Sequence, residues 1–153
     1  KASIATKKCI GCGECIVVCP QRAIEIQWHE SPDVFQKKMA EYAFGALKKK
    51  EKKALFINFV VQVSPACDCY PNSDAPIVRD IGILASDNPV AIDAASSDLV
   101  NMADGLPNTA LKKHVHLNED KWRALYPSID WNIQLDHAES LGMGTRQYTL
   151  VKI

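Results

Sequence analysis

Four cysteines lie close together in the run Cys9-Ile-Gly-Cys12-Gly-Glu-Cys15-Ile-Val-Val-Cys19-Pro20. The spacing C-x2-C-x2-C-x3-C-P is that of bacterial-type 4Fe–4S ferredoxin sites. Thiolates three residues apart in a tight loop can converge on one face of a cubane cluster. Gly11 and Gly13 let the backbone turn sharply there, because they lack a Cβ. The run predicts a 4Fe–4S cluster with the ligands Cys9, Cys12, Cys15 and Cys19.

Two other uses of cysteine compete with this interpretation. A disulfide framework is typical of short secreted domains, whereas this chain has 47% hydrophobic residues, enough for a core without such bonds. Structural zinc sites usually separate two cysteine pairs by a dozen or more residues. The spacing therefore favours iron–sulfur over both.

The fourth ligand is open at this point. In two-cluster ferredoxins the last cysteine of such a run ligates the other cluster. The sequence has no second run, and its remaining cysteines are Cys67 and Cys69. The fourth ligand is therefore Cys19, Cys67, Cys69 or a thiolate from another chain, and Cys19 is the first choice. Cys67 and Cys69 are equally well explained as structural thiols.

Residues 1–30 match one half of a ferredoxin module. Residues 3–6 and 23–27 are predicted as short strands on either side of the cluster loop, giving a strand–helix–strand half. The other half is expected from a missing N-terminal segment or a second subunit. Apolar side chains around the loop are expected to shield the cluster from water, namely Ile10, Ile16, Val17, Val18 and Ile24.

Residues 31–153 predict a mixed α/β domain that begins with a helix. Ser31 is a good N-cap, and Pro32 suits the first helical position. One apolar face is predicted from Phe35, Met39, Tyr42 and Ala46. The lysine-rich run at residues 48–53 fits a solvated helix end better than a nucleic-acid surface, because the formal net charge is +0.

Two apolar runs, residues 54–63 and 80–85, predict strands covered on both faces by helices. A helix is predicted to start at Asn88 and Pro89, with a face formed by Ile92, Ala95, Leu99 and Met102. Strand, polar loop, strand and helix together indicate an α/β architecture, or α+β for the chain as a whole.

The loop between the two predicted strands is a candidate second site. Cys67, Asp68, Cys69 and Asp74 lie in it, and two further carboxylates follow, Asp80 and Asp93. Carboxylates in loops usually bond to nearby backbone, and Asp93 also suits the first turn of a helix. The loop therefore predicts either a metal or substrate site or ordinary turns.

The C-terminal third is predicted to serve packing. Helices are expected at residues 118–126 and 130–141, and a strand at 147–152. Trp122 and Trp131 are expected to be packing anchors rather than a binding platform. The histidines do not complete a convincing metal set with other ligands; they are His29, His114, His116 and His137.

Several longer stretches carry a resemblance. They are Cys67-Asp-Cys69, Ser73-Asp-Ala-Pro76, Asp80-Ile-Gly-Ile-Leu-Ala-Ser86, Pro89-Val-Ala-Ile-Asp93 and Ile133-Gln-Leu-Asp-His-Ala-Glu-Ser-Leu-Gly142. With the cysteine run, they resemble an uncharacterised family of 4Fe–4S ferredoxin-domain proteins from anaerobic bacteria and archaea. Members usually have a longer N-terminal region with two ferredoxin runs, so the resemblance implies that this chain corresponds to the C-terminal part.

The sequence thus predicts an electron-transfer protein, or the redox module of a larger one, that carries one electron at its cluster. A redox partner protein is expected, and neither nucleic acid nor a membrane. Oxygen-sensitive iron thiolates predict the cytoplasm. One alternative is an oxidoreductase or metal-dependent enzyme with its site at the Cys67 and Cys69 loop. In another, the cluster only stabilises the fold.

Overall fold

The computed structural model describes residues 3–25, 30–50, 53–67, 72–111 and 118–153. The chain divides into two units, Lys1–Glu30 and Ser31–Ile153. The described residues form five α-helices and one two-stranded antiparallel sheet, so the broad prediction of a mixed α/β protein is confirmed.

The first unit contains a 3-10 helix, Thr6–Lys8, and helix α1, Glu14–Val18. The strand predicted at residues 3–6 is wrong, because the chain turns into the 3-10 helix at Thr6. Residues 23–25 are not a strand either, and residues 26–27 lie outside the described part. The strand–helix–strand half is therefore not confirmed by the described residues.

Helix α2, Pro32–Leu47, begins the second unit as predicted. The Ser31 hydroxyl accepts a hydrogen bond from the Val34 N–H at 3.4 Å, and Pro32 occupies the first turn. The predicted apolar face is wrong, because the buried residues are Gln36 and Ala40. These two lie one turn apart on the side that packs against the last helix of the chain.

The residues predicted to form that face point to solvent instead. Phe35 is 48% exposed, Met39 46% and Tyr42 74%. The small side chain of Ala40 lets a neighbouring helix approach closely, which the larger apolar residues would prevent.

Strands β1, Phe56–Val60, and β2, Gly82–Ser86, pair antiparallel, with Phe56 opposite Ser86 and Val60 opposite Gly82. Both are close to the predicted positions. The prediction that they are covered on both faces is wrong, since alternate residues are exposed: Ile57 by 52%, Phe59 by 67% and Ile83 by 63%. Successive strand residues point to opposite faces, so a helix on one face leaves the other uncovered.

Helix α3, Pro89–Met102, packs against both strands. Asn88 caps its start: the side-chain oxygen accepts from the N–H groups of Val90 and Ala91 at 3.0 and 3.1 Å. Ile92 and Ala95 are buried as predicted, whereas Met102 is 53% exposed.

The chain ends with α4, Lys121–Leu125, and α5, Asn132–Ser140, each shorter than predicted. Residues 147–152 are not a strand, so that prediction is wrong. They extend without a strand partner, and the hydroxyl of Tyr148 donates to Asp98 on α3 at 2.8 Å.

Two apolar clusters form the core of the second unit. One contains Ala40, Val90, Ala94, Leu135 and Ala138; the other contains Val60, Ile77, Val78, Val100 and Leu111. Trp131 packs against the first and Trp122 against the second, which confirms their predicted packing role. Among the described helices, none is long and apolar enough to cross a membrane.

Candidate functional site

The four cysteines of the run are placed by short local elements. Cys9 directly follows the 3-10 helix, and its N–H donates to the Ala5 carbonyl at 3.1 Å. Cys15 lies within α1, and Cys19 immediately follows it. Cys12 sits between Gly11 and Gly13, whose φ angles are 72° and 75°. These left-handed conformations are the sharp turns that the glycines predict, because a Cβ disfavours them.

The thiols of this run are accessible. Cys9, Cys12 and Cys15 are exposed and Cys19 is half-buried, and none of the four forms a disulfide. The Cys19 sulfur accepts a hydrogen bond from the Ala23 N–H at 3.4 Å. Backbone N–H donors of this kind stabilise metal-bound thiolates and tune reduction potential.

The donors fit an iron–sulfur cluster in chemical type and spacing, but they are not gathered into a finished ligand set. Among the residues that the structure describes, no three Cys, His, Asp or Glu side chains are grouped so as to hold a metal ion. Thiol ligands are commonly brought together by the metal itself, since a preformed site rarely exists without it.

The apolar residues around the run are mostly uncovered. Ile10 is 82% exposed, Val17 86% and Val18 66%, whereas Ile16 and Ile24 are partly buried. No residue in the described range 3–25 is buried. This segment therefore has no hydrophobic core of its own.

The second candidate site, the loop after β1, is only partly described. Cys67 is exposed, and Asp68 and Cys69 lie outside the described residues. Asp74 accepts from the adjacent Ala75 N–H at 2.7 Å, and Asp80 accepts from the Gln62 N–H at 2.7 Å. For these two carboxylates the structure favours the turn explanation.

Asp93 has a different environment from the loop carboxylates. The amide of Asn58 donates both to the Asp93 carboxylate at 2.9 Å and to the Ser96 hydroxyl at 3.0 Å. These hydrogen bonds link β1 to α3 through polar side chains.

Of the four histidines, only His137 is among the described residues. Its ring contacts the Glu41 carboxylate at 3.1 Å and so joins α5 to α2.

Asn58, Asp93 and Ser96 line a cavity of about 480 Å³ within the second unit. The cavity runs along β1 and is open to solvent. Its other walls are formed by residues of α2, α3, α4 and α5, with Trp122 on α4 and Trp131 just before α5. Sequence reasoning missed Gln36, which is buried in this wall. The sequence gives one hint of this burial, because Gln36 lies one helical turn before the small residue Ala40.

Lys121 and Asp130, which neighbour Trp122 and Trp131 in the sequence, have shifted pKa values. Burial lowers the pKa of Lys121, although Asp104 and Glu119 oppose the shift, and its ammonium donates to the Asn101 carbonyl at 2.7 Å. Hydrogen bonds from Asn132 lower the pKa of Asp130.

Comparison with protein families shows which one this chain matches. A family model described as a domain of unknown function, DUF362, matches residues 1–98. No curated protein and no solved structure matches the chain. The matched range includes the cysteine run, both strands and the first part of α3.

Proposed function

The chain belongs to the DUF362 family, a domain of unknown function, and from this premise we propose that it carries one electron at a 4Fe–4S cluster. The observation that carries the proposal is the cysteine run, with glycines in left-handed conformation on both sides of Cys12. This spacing is that of bacterial-type 4Fe–4S ferredoxin sites.

The energetics of residues 3–25 support the binding of a cluster in this segment. A segment with no buried residue cannot order itself by hydrophobic burial, which is the main favourable term in folding. Metal binding can supply that free energy, because ligand binding and folding are then one event. Exposed apolar side chains such as Ile10 and Val17 would also become covered by a cluster bound between the thiols.

We assign Cys9, Cys12 and Cys15 as ligands and Cys19 as the fourth. Cys19 belongs to the same unit as the other three, and it already accepts a backbone N–H bond. When bound, the cluster supplies the electron chemistry, and the protein supplies ligands, hydrogen bonds and burial. A redox partner protein and a cytoplasmic location are part of this proposal. The enzyme alternative at Cys67 and Cys69 stays a prediction.

The test is to purify the chain without oxygen and to measure iron, acid-labile sulfide and the EPR spectrum before and after dithionite. We expect about four irons and about four sulfides per chain, with a signal that appears on reduction. Zinc in place of iron, or a chain without metal, would contradict the proposal.

Two single variants locate the fourth ligand. Cys19→Ser should lower the iron content to about three per chain or abolish cluster retention. Cys67→Ser is the matched control and should leave iron content and the EPR signal unchanged. If Cys67→Ser lowers the iron content and Cys19→Ser does not, the fourth ligand lies in the second unit.

A further inference from the structure

We propose that an extended, uncharged segment of a partner protein inserts as a strand between β2 and the last residues of the chain. The site is a groove of about 360 Å³ in the second unit, the edge groove. It is lined by residues 83–86 of β2, by Ala91, Ile92 and Ala95 of α3, and by residues 148–151 with Ile153. This site does not depend on the iron–sulfur proposal.

The edge groove lies beside the free edge of β2. In the described part of the chain, β2 pairs with β1 alone, so its other edge has no strand partner there. The groove is lined by four consecutive residues of β2 and by none of β1. A groove over one face of the sheet would contact alternate residues of both strands, because successive side chains point to opposite faces. The groove therefore borders the backbone of β2, where an edge strand presents unpaired N–H and C=O groups.

The opposite side of the edge groove is bordered by a second stretch of backbone. Residues 148–151 line the groove without interruption. Among the described residues, no hydrogen bond joins the backbone of residues 147–153 to another backbone group. The hydroxyl of Tyr148 donates to Asp98 at 2.8 Å, which anchors this segment on α3 rather than on β2. Two stretches of backbone without strand partners thus border one groove.

An added strand can pair with both stretches at once. A strand inside a sheet forms hydrogen bonds along both of its edges and lies about 4.8 Å from each neighbour. A segment in the edge groove can therefore bond to β2 on one side and to residues 148–151 on the other. Addition of an extended peptide to an exposed sheet edge is a recurring mode of peptide recognition.

The lining of the edge groove selects an uncharged segment. All of its side chains are uncharged, and those from α3 are the apolar side chains of Ala91, Ile92 and Ala95. A lysine or glutamate of the partner would lose hydration there without an opposite charge to balance it. Since alternate side chains of a strand point to one face, the partner needs an apolar residue at every second position. Valine suits such positions, because β-branched side chains pack well on a pleated surface.

The probe is the peptide acetyl-Thr-Val-Thr-Val-Thr-Val-Thr-amide, added to the full 153-residue chain. Amide hydrogen exchange, measured residue by residue by NMR, reports which backbone groups it covers. With the peptide at millimolar concentration, we expect alternate amides of β2 and of residues 148–151 to exchange at least about tenfold more slowly. The amides of α5, which does not line the groove, should be unaffected.

Two altered peptides test the backbone pairing and the charge. N-methylation of the valines removes the donors along one edge of the peptide and should weaken binding at least about tenfold. Replacing the central valine by lysine should also weaken binding, because the charge has no partner in the groove. If either altered peptide binds as tightly as the parent, the proposal is overturned.

Variants of the C-terminal segment test the second row of backbone groups. Leu150 is 55% exposed and Val151 75%, so neither belongs to the core. Successive N–H groups of an extended chain point to opposite sides, so prolines at both positions remove the one that faces the groove. Leu150→Pro with Val151→Pro should weaken the peptide about fivefold or more. Leu150→Thr with Val151→Thr keeps both N–H groups and is the matched control, which should bind as the natural chain does.

Circular dichroism checks that both double variants are folded. The proposal is overturned if the peptide protects no amide of β2, or if the proline pair binds the peptide as well as the threonine pair does. It is also overturned if all amides of β2 are protected before the peptide is added. That result would show that this chain, or a second copy of it, already fills the free edge.

Discussion

At the residue scale, Lys121 shows how strongly a single environment can differ from sequence expectation. It is fully buried, at 0% exposure, although lysine is almost never buried without a partner. Its backbone and ammonium groups both bond to Asn101, through the side-chain oxygen at 2.9 Å and the carbonyl at 2.7 Å. The residue thus ties the start of α4 to the end of α3.

This burial predicts a pH dependence of stability. Because burial lowers the pKa of Lys121 below its ordinary value of 10.5, the unfolded chain binds this proton more tightly than the folded chain. The contribution of Lys121 to the free energy of unfolding should therefore increase as the pH rises from below its folded pKa to 10.5. Urea unfolding, followed by tryptophan fluorescence, gives the free energy of unfolding at each pH from 7.5 to 10. Plotted against pH, this free energy should rise more steeply for the natural chain than for Lys121→Met. The exposed Lys152→Met is the control, and equal slopes in all three chains would contradict the assignment.

At the element scale, the side chain that caps α3 also contacts the C-terminal part of the chain. Asn88 caps the helix and also donates to the Thr145 carbonyl at 3.1 Å. A Cβ at Gly144 would overlap the Asn88 side chain, which three hydrogen bonds hold in place. The absence of a side chain at Gly144 is therefore required by the cap.

Gly144→Ala should lower the free energy of unfolding by about 1–2 kcal/mol, through the displaced cap and local overpacking. In the Asn88→Ala background the same substitution should cost much less, because the obstructing side chain is gone. Gly45→Ala is the matched control: it lies inside α2 with open space around it, and should raise stability by about 0.5–1 kcal/mol. Urea unfolding of the four chains measures the coupling, and additive effects of the two substitutions at 88 and 144 would show that no contact exists.

At the scale of the whole molecule, the two units differ in what can hold them together. The second has two apolar clusters, and residues such as Ile77 and Val90 are almost completely buried. The first has no buried residue in its described range, 3–25. Hydrophobic burial thus accounts for the order of the second unit, while the described part of the first unit has no such burial.

Hydrogen exchange should reveal this difference. Loading the cluster should increase amide protection throughout residues 9–19, by at least about tenfold, because ligation and ordering of the loop are coupled. The core amides of α3 should be protected both with and without the cluster. Mass spectrometry of peptides from the loaded and the metal-free chain makes the comparison. Equal protection of residues 9–19 in both forms would show that the loop is ordered without metal.

The sequence by itself determined the features that depend on neighbours a few residues away. The sharp turns at Gly11 and Gly13, the cap at Ser31 and the start of α3 at Asn88 were all predicted, because each rests largely on contacts within about one turn. Family membership is shown by a match over residues 1–98, while the part of the predicted resemblance at residues 133–142 lies beyond that match and stays a prediction. The ferredoxin half, the cluster and the anaerobic distribution stay predictions.

Only the tertiary structure decided which faces are buried. The α2 face with Phe35 and Met39 is as apolar as a core-facing stripe, yet α5, about a hundred residues along the chain, packs on Gln36 and Ala40 instead. Distant elements likewise decide which face of the sheet stays open and that Lys121 is buried. Burial depends on which distant element arrives at a surface, and local periodicity does not contain that information. Gln36 and Trp122, far apart in the sequence, line one cavity only because the helices that carry them pack together.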